Sequence, residues 1–109
     1  MMRSNIPNYQ IDDAIASLDS FTNYNGTIRA HVTARGNYGV YHWNTQILEY
    51  DAERQKIVDL YWPYISQTTS TLVGRIVRNL PRQSVLDALE IIEQASPRRG
   101  KQIRSMARI

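Results

Sequence analysis

With 109 residues, 42% of them hydrophobic and 9% aromatic, the chain has the size and bulk of one folded domain and not the composition of a disordered segment. It contains no cysteine, which excludes a disulfide framework and a thiolate metal site, and no apolar run approaching the roughly 20 residues a bilayer crossing needs. The formal net charge of +3 is unevenly placed: Arg98, Arg99, Lys101, Arg104 and Arg108 all follow Glu93, the last acidic residue, and without these five cations the chain would be net negative.

No positively charged apolar leader opens the chain at Met1, so a cytoplasmic location is the default expectation. Ile11, Ala14, Ile15 and Leu18 recur at helical spacing, with Asp12 and Asp13 in the first turn where carboxylates suit the helix dipole, which predicts an amphipathic helix over 10–20. Phe21 to Gly26 reads as a loop, because Asn25-Gly26 supplies the positive φ of a tight turn.

From Thr27 the period changes to two. Ile28, Ala30, Val32 and Ala34 share one face and Arg29, His31 and Thr33 the other. A two-residue turn at Gly36-Asn37 would set Arg35 opposite Tyr38, Val32 opposite Tyr41, Ala30 opposite Trp43 and His31 opposite His42. In that register Tyr41 and Trp43 are core. Arg29, His31, Arg35, Tyr38 and His42 then lie on a mostly polar face. A bend near Asn44-Thr45 leads to a second hairpin, 46–50 with 56–60, around the polar turn 51–55. Tyr61-Trp62-Pro63-Tyr64 is an aromatic cluster that proline marks as a strand end, and Trp62 and Tyr64 join Tyr38 as the aromatics expected to be exposed.

Thr68, Thr69 and Ser70 offer N-caps for a helix with Leu72, Val73, Ile76, Val77 and Leu80 on one stripe and Arg75 and Arg78 outside; Pro81 ends it. Ser84 with Asp87 resembles a capping box opening a helix whose apolar positions are Val85, Leu86, Leu89 and Ile92 and which Ser96-Pro97 stops. Beyond it, Ile103, Met106 and Ala107 fall at helical spacing among the arginines, so the tail reads either as a solubilising end or as a short basic amphipathic helix.

Three segments resemble a family of small uncharacterised proteins encoded by bacteriophages and other mobile elements: the F-T-N-Y-N-G-T run from Phe21 with Ile28-Arg29-Ala30, the Y-x-x-N-T-x-I run Tyr41 to Ile47, and Thr68-Thr69-Ser70 ahead of a helix. The resemblance covers about half the chain, from Phe21 to Leu80, and departs from the family pattern in having Gln46 where a proline is expected. It implies a phage accessory role in the host cytoplasm, exercised by binding, such as blocking a host defence complex in the manner of an anti-CRISPR protein. It implies no established reaction.

The residues themselves point the same way. His31 and His42 are the only histidines, and a zinc site would need about two more ligands, for which the hairpin offers no carboxylate on that face. Glu49, Asp51, Glu53 and Asp59 around the second hairpin read as solvated charges, and no phosphate cradle or nucleophile elbow is present. The expected fold is α+β in a single domain, 1–109: an N-terminal helix within 1–20, a four-stranded antiparallel meander over 27–65, a helical pair over 70–96 and a basic tail over 97–109, with two or three C-terminal helices on one sheet face. The expected function is non-enzymatic binding of a host protein or ribonucleoprotein complex, without a cofactor or membrane contact and with a homodimer among the assemblies open to it. Direct binding of RNA or single-stranded DNA is the alternative. The expected contact residues are Arg98, Arg99, Lys101, Arg104 and Arg108 of the tail, then Arg29, His31, Arg35, His42 and Tyr38 of the sheet.

Overall fold

The computed structural model describes residues 2–61 and 67–109, the side chains of 67 and 68 aside. Trp62 and Tyr64 therefore lie outside the described residues. The chain runs β1 (Arg3–Ile6), a 3-10 turn (Asn8–Gln10), α1 (Ile11–Ala16), β2 (Phe21–Asn23), β3 (Ile28–Val32), β4 (Tyr38–His42), β5 (Thr45–Asp51), β6 (Lys56–Leu60), α2 (Gln67–Val77), α3 (Arg82–Ala95) and α4 (Pro97–Met106). The class is α+β, with six strands among the described residues in one mixed sheet ordered as in the sequence; β1 and β2 are parallel and the other neighbouring pairs antiparallel.

The expected meander is β3 to β6, and two further strands extend it. β2 was expected as loop because its three residues run directly into the turn that Gly26 closes at φ 72°. Phe21 and Asn23 are nonetheless buried, and the Asn23 side chain serves the turn: its Oδ1 accepts from the Ile28 N–H (3.1 Å) and its Nδ2 donates to Thr27 Oγ1 (3.2 Å). β1 shows no alternation that a sequence could reveal, since Ile6 is its one buried residue. It is held by parallel pairing to β2 and by Arg3, whose guanidinium bridges Asp13 (3.1 Å) and Asp19 (2.6 Å). α1 is shorter than expected. It ends in a Schellman motif, with the Leu18 N–H on Ile15 O, the Asp19 N–H on Ala14 O, and Leu18 in the left-handed region that glycine more often fills.

The first hairpin differs from expectation in register. Val32 pairs with Tyr38, joined by a three-residue loop, Ala34-Arg35-Gly36, inside a Thr33/Asn37 closing pair: Thr33 N–H donates to Asn37 O (2.8 Å) and Gly36 N–H to Thr33 O (2.9 Å), with Gly36 at φ 81°. Such a loop needs one left-handed residue, and Gly36 supplies it there instead of opening a two-residue turn. The resulting shift is odd, so every β4 side chain changes face. Tyr38 and Val40 are core; Tyr41 is half-buried on the other face and Trp43 is exposed. His31 lies opposite Gly39 and His42 opposite Ile28, on opposite faces of the sheet. Ile28 and Ala30 are core as expected, whereas Val32 and Ala34 are exposed.

One hydrophobic core joins the sheet to all four helices. The stripe expected on α2 is buried in full, but Arg75 is not outside: its Nε donates to Asp12 Oδ1 (3.0 Å), tying α2 to α1. α3 starts at Arg82 directly after Pro81, two residues before the expected capping box, and Ser84 is buried with its hydroxyl donating to the Gln55 carbonyl of the β5–β6 turn. The tail is α4. Ser96 caps it by accepting the Arg99 N–H, Pro97 starts it, and Ile103 is fully buried, a burial worth about 1.5–3 kcal/mol. Two glycines let α4 approach its neighbours: a Cβ on Gly100 would run into Glu93 of α3, and one on Gly74 of α2 would run into Met106.

Candidate functional site

The sheet face away from the core carries no helix among the described residues, and the shifted register decides what it displays. Arg29 opposes Tyr41, His31 opposes Gly39, Gly39 opposes Glu49, and Glu49 opposes Asp59. Without a side chain at Gly39 the Tyr41 ring lies down over it; a Cβ there would meet the Tyr41 hydroxyl at 3.0 Å and Thr33 Cγ2 at 2.8 Å. His31 stacks on that ring with centroids 4.6 Å apart and an 11° tilt, and the Arg29 guanidinium carbon is 5.7 Å from the Tyr41 centroid.

Trp43 stands beyond the end of this strand pair, 65% exposed, in the two-residue turn that joins β4 to β5, its indole tilted 46° to the His42 ring with centroids 6.3 Å apart. Its backbone is left-handed, φ 54°, which costs a non-glycine residue about 1–2 kcal/mol. Both of its backbone groups are held: Trp43 N–H donates to Thr27 O (2.8 Å) and Arg29 Nη2 donates to Trp43 O (3.0 Å).

Beneath the same face lies Glu49, 3% exposed. Its Oε1 accepts from Arg35 Nη2 (2.8 Å) and Gln46 Nε2 (3.2 Å), and its Oε2 from Asn37 Nδ2 (2.7 Å) and Thr33 Oγ1 (3.5 Å). The Asn37 amide and the Arg35 guanidinium hold the carboxyl below the usual carboxylate range, outweighing burial, which acts the other way. Glu49 is thus not the solvated turn charge expected from sequence. It pins the loop 33–37 onto β5 and so fixes the edge of the displayed surface.

Of the expected contact residues, Arg29, His31 and Arg35 share this face. Tyr38 does not: it is a core residue whose hydroxyl donates to Asp19 O (2.8 Å), and burial pushes its phenol well above the usual range. His42 points the other way, with Nδ1 3.1 Å from Thr69 Oγ1 of α2, and burial pushes its imidazole below the usual value. The five tail cations are divided as well. Arg99 is buried, donating to Ser70 Oγ (3.1 Å) and Gln102 Oε1 (2.6 Å), and Arg104 grips Glu93 Oε1 through Nε (3.1 Å) and Nη2 (2.6 Å). Arg98, Lys101 and Arg108 are exposed. Sequence reasoning missed Tyr41 and Glu49 as members of one face and Trp43 as an exposed residue at its end. The signal that would have found them is the Thr33-to-Asn37 loop with glycine in its fourth position, which sets the odd register.

Among the described residues no three His, Asp or Glu side chains converge as a metal site would require, and no helix is long and apolar enough to cross a membrane. Compared with protein-family models, with curated proteins and with solved structures, the chain matches none.

Proposed function

We propose that this chain acts by non-covalent binding and without catalysis, with the open sheet face as its working surface and a host protein or nucleoprotein complex as its partner, in the manner of a phage accessory protein that blocks or redirects that complex. Trp43 is the observation that carries this reading. An indole 65% exposed, on strained backbone whose carbonyl accepts from Arg29, has no role in the core. Tryptophan, tyrosine and arginine are the residue types that dominate interface hot spots. A turn whose backbone is already held gives up little further backbone freedom when a partner covers it, and backbone strain kept at an exposed site suggests a use for it. Direct binding of RNA or single-stranded DNA by this face is less well supported, because His31 already covers part of the Tyr41 ring a base would stack on, and Glu49 and Asp59 share the face.

The test is capture from bacterial host lysate on immobilised protein, comparing the wild type with an Arg29→Ala/Trp43→Ala double variant whose fold is checked by circular dichroism. A partner retained by the wild type and lost by the variant is the expected result. Equal retention by both would remove the sheet face from the mechanism.

A further inference from the structure

We propose that the outer stripe of α4 is a second binding surface, a docking site for the phosphate backbone of single-stranded nucleic acid, built independently of the sheet face. Lys101 and Gln102 each lie three or four residues from both Arg98 and Ser105, so the four share the solvent side of α4, and all four are exposed. Arg108 continues the row just past the helix end. It is held there by a Schellman motif, with its N–H on Ser105 O (3.1 Å) and the Ile109 N–H on Arg104 O (3.1 Å). Arg98, Lys101 and Arg108 have no ion-pair partner among the described residues, and the one carboxylate that α4 engages, Glu93, is taken by Arg104.

Two features say that these cations serve something outside the fold. First, Arg98 is placed against the helix dipole: α4 has no acidic residue in its first turn, where the dipole favours one, and it has two arginines there instead. Arg98 and Lys101 also repel each other one turn apart. Helix energetics disfavour Arg98 and its pairing with Lys101, whereas Arg108, just past the C-terminus, sits where the dipole favours a cation. Second, the row is rigid. Ile103 is fully buried, Arg104 is clamped on Glu93, Arg99 is anchored to Ser70 of α2, and Gly100 lets the backbone settle against Glu93, so the backbone that carries the charges is held in place.

The chemistry of the stripe favours phosphates over an acidic protein face. A protein interface wants an apolar or aromatic anchor, and none of the exposed large hydrophobic residues, Met2, Tyr9, Tyr24, Val32, Trp43, Val58 and Ile91, lies on α4. What stands between the cations are Gln102 and Ser105, donors suited to phosphate oxygens. At 1.5 Å rise per residue, Arg98 to Arg108 spans about 15 Å, the reach of a few successive phosphates of an extended strand.

The experiment measures fluorescence anisotropy of a labelled 20-nucleotide oligothymidine titrated with the full chain at 50 and 200 mM salt. With three phosphates neutralised, the affinity should fall about 20-fold between the two salts. An Arg98→Glu/Lys101→Glu/Arg108→Glu variant should lose at least tenfold at 50 mM salt, and the corresponding triple alanine variant should fall between it and the wild type. Trp43→Ala should bind the oligonucleotide as the wild type does, which separates this proposal from the sheet-face reading. Absence of binding at 50 mM salt, a salt-independent affinity, or wild-type binding by the folded charge-reversed variant would each overturn the proposal. So would preferential binding to vesicles rich in phosphatidylserine, or loss of oligonucleotide binding in Trp43→Ala.

Discussion

Replacing Glu49 by glutamine removes one charge and one acceptor from a site that is 3% exposed, while keeping the shape of the side chain. Both carboxylate oxygens accept from donors, Oε1 from Arg35 and Gln46 and Oε2 from Asn37 and Thr33, so either orientation of the new amide points an N–H₂ at another donor. Hydrogen bonds to a charged group are worth about 1.5–3 kcal/mol each. Arg35 is 66% exposed and regains water when released, so its share is small, and the loss is carried mainly by the part-buried Asn37 contact and the misdirected amide. The net cost should be about 2–3 kcal/mol, which for a domain of this size lowers the melting temperature by roughly 10–15 °C. Arg35→Ala should cost about 1 kcal/mol or less. The sign with pH is also fixed. The folded-state pKa of Glu49 lies below its unfolded value, so its contribution is complete above the unfolded carboxylate pKa and is lost as pH falls through the folded value. The acid limb of stability below about pH 4.3 should therefore be shallower in Glu49→Gln than in the wild type. Urea denaturation of the three proteins across pH 3 to 7 checks all of this. A Glu49→Gln stability within 0.5 kcal/mol of wild type at pH 7, or a larger loss in Arg35→Ala, would refute the reasoning.

Gly100→Ala should destabilise the domain by about 1–3 kcal/mol, because the added methyl meets backbone as well as side-chain atoms of Glu93; denaturant midpoints will show it, and near-equality with wild type would mean that α4 is not seated as described. Trp43→Gly relieves a left-handed backbone, so thermal unfolding should change by no more than about 1 kcal/mol in either direction while partner capture is lost; a large destabilisation would instead make Trp43 a structural residue. His42 is pushed below its usual value by burial, so the unfolded chain binds its proton more readily, and stability should decline as pH drops from about 6.5 toward the folded value. In His42→Gln, which keeps a partner for Thr69, stability at pH 7.5 and 5.5 should differ less than in the wild type. Tyr38→Phe, which leaves the Asp19 carbonyl without its donor, should cost about 0.5–1.5 kcal/mol by calorimetry.

The candidate face was half legible in advance. Arg29 and His31 follow from alternation within β3, and alternation needs nothing beyond its own strand, whereas Arg35 lies in the loop beyond it and is on this face through Glu49. Tyr41 and Trp43 were assigned to the core because the partner strand's face depends on the loop, and a single left-handed residue can close a two-residue or a three-residue turn. The tail shows the same limit from the other side. Its excess of cations is plain in the sequence, yet which of them are spent inside was not, because Arg99 and Arg104 are claimed by Ser70 and Glu93 on helices that pack only in the folded chain.

By itself, then, the order of residues determined the α+β class, the β3–β6 meander, the buried stripe of α2 and the concentration of positive charge after Glu93, all of which rest on periodicity and composition within a few residues. Only the tertiary structure decided the addition of β1 and β2, the parting of His31 from His42, the burial of Glu49 and the division of the tail into two anchoring arginines and three exposed cations. Those outcomes depend on pairing register and on which distant groups meet. A one-residue difference in a turn inverts the faces of a strand, and no local pattern carries that information.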